Sequence, residues 1–143
     1  MQTNEHRSES VRGRAVLVVD DDDDIRSAVQ EVLEEEGFET IGAANGKQAL
    51  EVLHECTYLP ALILLDLMMP EMDGWEFLVH IDEDPQLHQV PVALMSAHPS
   101  VRRAFDRGKG QRVSESLLLP KPLNLLRLLS IVHSVVPDPS PTA

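Results

Sequence analysis

The run Ala15-Val16-Leu17-Val18-Val19, closed by Asp20 and Asp21, decides how the rest of the chain is read. A continuous apolar run without alternation describes a strand buried on both faces, as in a parallel sheet covered by helices. After it the period changes. Ile25, Ala28, Val29, Val32 and Leu33 recur at i, i+3, i+4, i+7 and i+8, which is one apolar face of a helix. Asp24 is placed to cap that helix and Gly37 to stop it. A strand feeding a helix is the first β/α unit.

The same alternation continues downstream. Glu39 to Ala43 reads as a second strand, and Gly46 to Cys56 as a helix with Ala49, Leu50, Val52 and Leu53 inward. Ala61 to Leu65 is the most apolar strand and is expected at the centre. A helix follows from near Gly74 to near Asp82, ahead of Pro85. Pro91 to Met95 gives a fourth strand, Ser100 to Arg112 a helix interrupted by Gly108 and Gly110, and Ser116 to Leu119 a fifth strand. Asn124 to Val136 closes the pattern, with Leu125, Leu128, Leu129, Val132, Val135 and Val136 on one side. Five β/α units in order predict a doubly wound parallel sheet with helices on both faces. The domain is expected over residues 14–136. The polar segment 1–13 and the proline-bearing 137–143 read as mobile tails, which leaves no room for an output domain.

Composition narrows the function. A formal net charge of -12 over 143 residues argues against non-specific binding to DNA phosphates. No apolar stretch is long enough to span a membrane, and the polar start carries no secretory h-region. The single cysteine, Cys56, has no internal partner, which suits a cytoplasmic protein, and reads as a small packing residue. With aromatics at 3%, the core must come from Leu, Val, Ile, Ala and Met; Trp75 and Phe77 read as packing residues.

In a doubly wound sheet, chemistry gathers at the carboxyl ends of the strands. There the chain places Asp20 and Asp21 after the first strand, Asp66 after the third, Ser96 after the fourth and Lys121 after the fifth. Carboxylates crowded together repel one another, and a hard divalent cation resolves the conflict. Mg²⁺ fits, because it takes a few carboxylates and keeps waters. Lys121 would add a fixed positive charge and Ser96 a hydroxyl donor, a set suited to an anionic phosphoryl group. Asp22, Asp23 and Asp24 read as solvated or capping residues. His54, His80, His88 and His133 have no spacing that suggests a metal.

Four segments together resemble response-regulator receiver domains of two-component signalling. They are Val16 to Arg26 with its acidic run, Leu62 to Leu78 with its Pro-Glu-Met-Asp-Gly loop, Pro91 to Ala97, and Leu119-Pro-Lys-Pro122. The likeness covers about residues 14–136. It implies a flavodoxin-like sheet in the order 2-1-3-4-5 and a stand-alone phosphorelay domain rather than a turnover enzyme. In that reading Asp66 accepts the phosphoryl group, while Ser96 and Lys121 bind its oxygens. Asp21 is the main Mg²⁺ acid. Asp20 holds a metal-bound water or a direct place, and the backbone carbonyl of Met68 is a further ligand. The resemblance further implies a histidine kinase or histidine phosphotransfer protein as donor, an unidentified downstream protein, and a monomer or weak homodimer. Pro122 matches a proline that follows a cis bond in the family.

Three features depart from the family pattern. Leu118 stands where an aromatic ring usually switches, so the ordinary switch is in question. The stretch between Ser96 and Lys121 is longer than usual and carries Arg102, Arg103, Arg107, Lys109 and Arg112. Met68 and His98 lie two residues past Asp66 and Ser96, where the family tunes phosphoryl lifetime. A non-switching scaffold of receiver shape is therefore the competing expectation. A haloacid-type phosphohydrolase is excluded because it needs an acid at Met68. A calcium loop from Asp20 is excluded because Ile25 occupies the required glycine place.

Overall fold

The computed structural model describes residues 14–67, 69, 72–96 and 118–137. Its strands are β1 (Val16–Val19), β2 (Thr40–Ala43), β3 (Leu62–Asp66), β4 (Val92–Ser96) and β5 (Leu118–Pro120). The described helices are α1 (Asp23–Glu35), α2 (Gly46–Glu55), α3 (Gly74–Glu83) and α4 (Leu125–Val135), with a short 3₁₀ turn at Leu87–Gln89. All five strands are parallel and lie in the order β2-β1-β3-β4-β5. The apolar runs of β1 to β4 sit where the sequence placed them, and β3 is central; β5 is described from Leu118 and runs past the expected Leu119 to Pro120.

Successive side chains of a strand point to opposite faces, and the chain fills both. On one face Leu17, Val19, Ile63, Leu65 and Leu94 meet Ala49 and Leu53 of α2 and Phe77, Leu78 and Ile81 of α3. On the other, Val16, Val18, Leu62, Leu64, Ala93 and Met95 meet Val29 and Leu33 of α1 and Leu128, Ile131 and Val132 of α4. Each fully buried Val, Leu, Ile, Phe or Met among them contributes about 1.5–3 kcal/mol. This two-sided core explains why the strand sequences do not alternate. Among the described residues, no helix is long and apolar enough to cross a membrane.

The structure moves some expected boundaries. The cap of α1 is Asp22 rather than Asp24: its carboxylate accepts the N–H groups of Asp24 (2.9 Å) and Ile25 (3.1 Å). Asp24 itself lies inside the helix. Gly37 does end α1, at φ 93°, a left-handed conformation in which a side chain is strained. Strand β3 runs on to include Asp66, and β4 runs on to include Ser96. On α4 the buried face uses Ile131, whereas Leu125 is 50% exposed and so is not inward. The helix expected over residues 100–112, most of the tails and Met68 lie outside the described residues.

Candidate functional site

Register brings the acids together. Val19 of β1 pairs with Leu65 of β3, so the next residues, Asp20 and Asp66, stand side by side at the carboxyl edge. Asp20 has no exposed surface and Asp66 only 4%. One carboxylate oxygen from each of Asp20, Asp21 and Asp66 lies within 4.8 Å of the others. Asp21 is exposed, so the cluster opens to solvent on its side.

Lys121 enters from the other edge. Its backbone N–H donates to the Ser96 carbonyl (2.9 Å), which ties the turn after β5 to the end of β4. The peptide between Lys121 and Pro122 is cis. Its Nζ donates to Asp20 Oδ2 at 2.9 Å and pairs with Asp66 Oδ2 at 3.5 Å. Burial pushes the ammonium pKa down. The hydrogen bond and charge of Asp20, joined by Asp66, outweigh it and hold the pKa above its ordinary 10.5. Lys121 is therefore a permanent cation facing two buried carboxylates.

Ser96 is buried at 6% exposure on the end of β4, one residue past Met95, the residue opposite Asp66. The structure thus gathers Asp20, Asp21, Asp66, Ser96 and Lys121 at one strand rim. Met68 cannot be added, since it is outside the described residues. Gly74 belongs to the same edge. A Cβ there would meet the Leu67 Cα at 2.7 Å and the Asp66 carbonyl oxygen at 2.9 Å. Only glycine lets α3 approach the end of β3 so closely.

Sequence reading missed Arg26. Its Nη1 donates to the Asp20 carbonyl at 2.7 Å, and its Nη2 pairs with Asp23. A signal was available: it is the one Lys or Arg between residues 15 and 46, within a run of acids. Beside the rim, an apolar groove of about 290 Å³ runs between α1 and the turn after β5, lined in part by Ala28, Val32, Lys121, Pro122 and Leu123.

The donor set is all hard oxygen, three carboxylates in reach of one another, which is what Mg²⁺ selects over softer metals. Fold and rim together define a flavodoxin-like α/β domain with an acidic, lysine-bearing pocket at its strand ends. The model of the response regulator receiver domain matches residues 16–133, and the chain belongs to that family. It is 36% identical over 121 residues to the transcriptional regulatory protein CpxR of Escherichia coli (strain K12), covering 85% of this chain and 48% of CpxR. The chain thus spans about half the length of that relative. Protein PilG of Pseudomonas aeruginosa is 30% identical over 129 residues, which are 90% of this chain and 92% of PilG. Among solved structures, the chemotaxis protein CheY4 of Vibrio cholerae superposes with a TM-score of 0.72 at 28% identity, over 86% of this chain and 98% of that one. The chain is thus a receiver domain of two-component signalling, and the expected sheet order holds.

Proposed function

We propose that this domain accepts a phosphoryl group on Asp66, with Mg²⁺ bound among Asp20, Asp21 and Asp66, and passes the signal by docking to another protein. The observation that carries the reading is Lys121 Nζ, 2.9 Å from Asp20 and 3.5 Å from Asp66. An ammonium held against a nearly buried carboxylate suits a place where three more anionic oxygens must arrive. A carboxylate oxygen of Asp66 attacks phosphorus in line. The new P–O bond forms as the donor's P–N bond breaks, and the leaving imidazole keeps the electron pair. Lys121 and the Ser96 hydroxyl take the phosphoryl oxygens, and Asp20 keeps Lys121 oriented between transfers. Mg²⁺, when bound, would offset negative charge on the phosphoryl oxygens.

The donor is a histidine kinase or a histidine phosphotransfer protein, and the domain serves as a signalling element rather than a turnover enzyme. The groove that shares Lys121 and Pro122 with the rim gives such a donor an apolar surface beside Asp66. A phosphate-independent scaffold is not favoured, because three acids within reach of one ion and the cation that would receive phosphoryl oxygens meet at one rim.

Incubation with acetyl phosphate and Mg²⁺ followed by Phos-tag electrophoresis tests the proposal. A retarded band is expected from the wild type and none from Asp66→Asn. No retarded band from the wild type, or an equal one from Asp66→Asn, would end it.

A further inference from the structure

Asp20 is pinned at every polar atom. Its N–H donates to the Ala43 carbonyl at 3.1 Å, its Oδ1 accepts the Asp22 N–H at 2.9 Å, and its Oδ2 accepts Lys121 Nζ at 2.9 Å. The remaining atom, its carbonyl oxygen, accepts Arg26 Nη1 at 2.7 Å. That carbonyl belongs to the peptide leading into Asp21, the exposed member of the acidic cluster. Whatever fixes this peptide also fixes where the Asp21 carboxylate starts from.

Arg26 is an unfavourable choice for its place in α1. A cation in the first turn opposes the positive end of the helix dipole. Yet its side chain is held at only 18% exposure, with one arm on the Asp20 carbonyl and the other on Asp23. Its stem lies over β2: a Cβ built on Gly42 would come within 3.3 Å of Arg26 Cδ. The guanidinium is therefore threaded between α1 and the edge strand rather than lying loose in solvent. A forked donor can serve both arms at once, which lysine cannot.

We propose that Arg26 is a positioning residue for the cation site, bracing the Asp20–Asp21 peptide so that Asp21 presents its carboxylate to the ion. The inference rests on the cation reading above. It makes a prediction of definite sign. As a mere charge near three carboxylates, Arg26 would repel a divalent cation, and its removal would tighten binding. As a brace, its removal frees the peptide and weakens binding.

Calorimetric titration of Mg²⁺ into wild type, Arg26→Met, Arg26→Lys and Asp21→Asn separates the cases, with amide hydrogen exchange at Asp22 followed in metal-free protein. Both Arg26 variants are expected to raise the Mg²⁺ Kd about tenfold, the lower end of what outer-shell partners of metal ligands usually supply. Both should also speed exchange of the Asp22 amide, while Asp21→Asn abolishes saturable heat. Arg26→Lys keeps the charge and most of the stem, so it decides the matter if Arg26→Met does not fold. Variants that bind Mg²⁺ as tightly as wild type, or tighter, overturn the proposal. A wild type without saturable heat would instead remove the cation reading itself. The amide then decides the brace alone: faster exchange in the variants keeps it, and unchanged exchange overturns it.

Discussion

Replacing Lys121 with methionine takes away the ammonium that meets Asp20 at 2.9 Å and leaves two buried carboxylates facing each other. Breaking a buried pair from one side costs about 3 kcal/mol, more than the pair is worth in net terms, because the surviving charge is stranded. Urea denaturation of Lys121→Met should show a loss of that size at neutral pH. The pH dependence has a fixed sign. The folded lysine has its pKa raised above 10.5, so its contribution is complete below that value and fades as pH climbs through the folded pKa. The gap between wild type and Lys121→Met should therefore stay constant from pH 7 to 9 and narrow only in strong alkali. A gap that already narrowed between pH 7 and 9 would mean that the pairing is not its source.

At the level of elements, the first helix shows how far sequence reading reached. The apolar face of α1 was legible because its period is unambiguous. Its cap was not, since five consecutive aspartates could each serve and only the backbone path selects Asp22. Asp22→Ala should lower stability by about 1 kcal/mol, the usual worth of such a cap. Asp24→Ala, by contrast, leaves no cap bond unmade, and thermal melting of the two variants distinguishes the assignments. Helix α4 was harder still. Leu125, Leu126, Leu128, Leu129, Ile131 and Val132 surround nearly the whole helix, so the periodicity could not choose between Leu125 and Ile131. Burial chose Ile131, and left Leu126 81% exposed. The strand ends were the easiest part. Each apolar run stops at a polar residue, and parallel register then carries Asp20, Asp66, Ser96 and Lys121 to one rim without further information. Arg26 could not be found the same way: its place as a lone cation among acids was legible, but its bond to a main-chain carbonyl was not.

For the molecule as a whole, a net charge of -12 is a standing cost, and part of it is concentrated at the rim. Screening by any salt should raise the melting temperature somewhat. Mg²⁺ should raise it further at equal ionic strength, because an ion that binds only the folded state adds its binding free energy to stability. That increment reaches about 2.7 kcal/mol once free ion exceeds its Kd roughly a hundredfold. Asp21→Asn should respond to sodium and magnesium salts alike. If wild type also fails to distinguish them, the rim is not a cation site.

Parallel strands fix one more relation. Arg14 leads into β1 at its amino end and Pro137 follows the far end of α4, where His133 stacks edge-on against Phe38 ahead of β2, ring centroids 5.1 Å apart. Both chain ends of the described domain therefore leave from the pole opposite the carboxylates. A fluorescent protein, an affinity handle or a surface tether spliced on at either place would hang beneath the molecule and leave its acidic mouth facing outward.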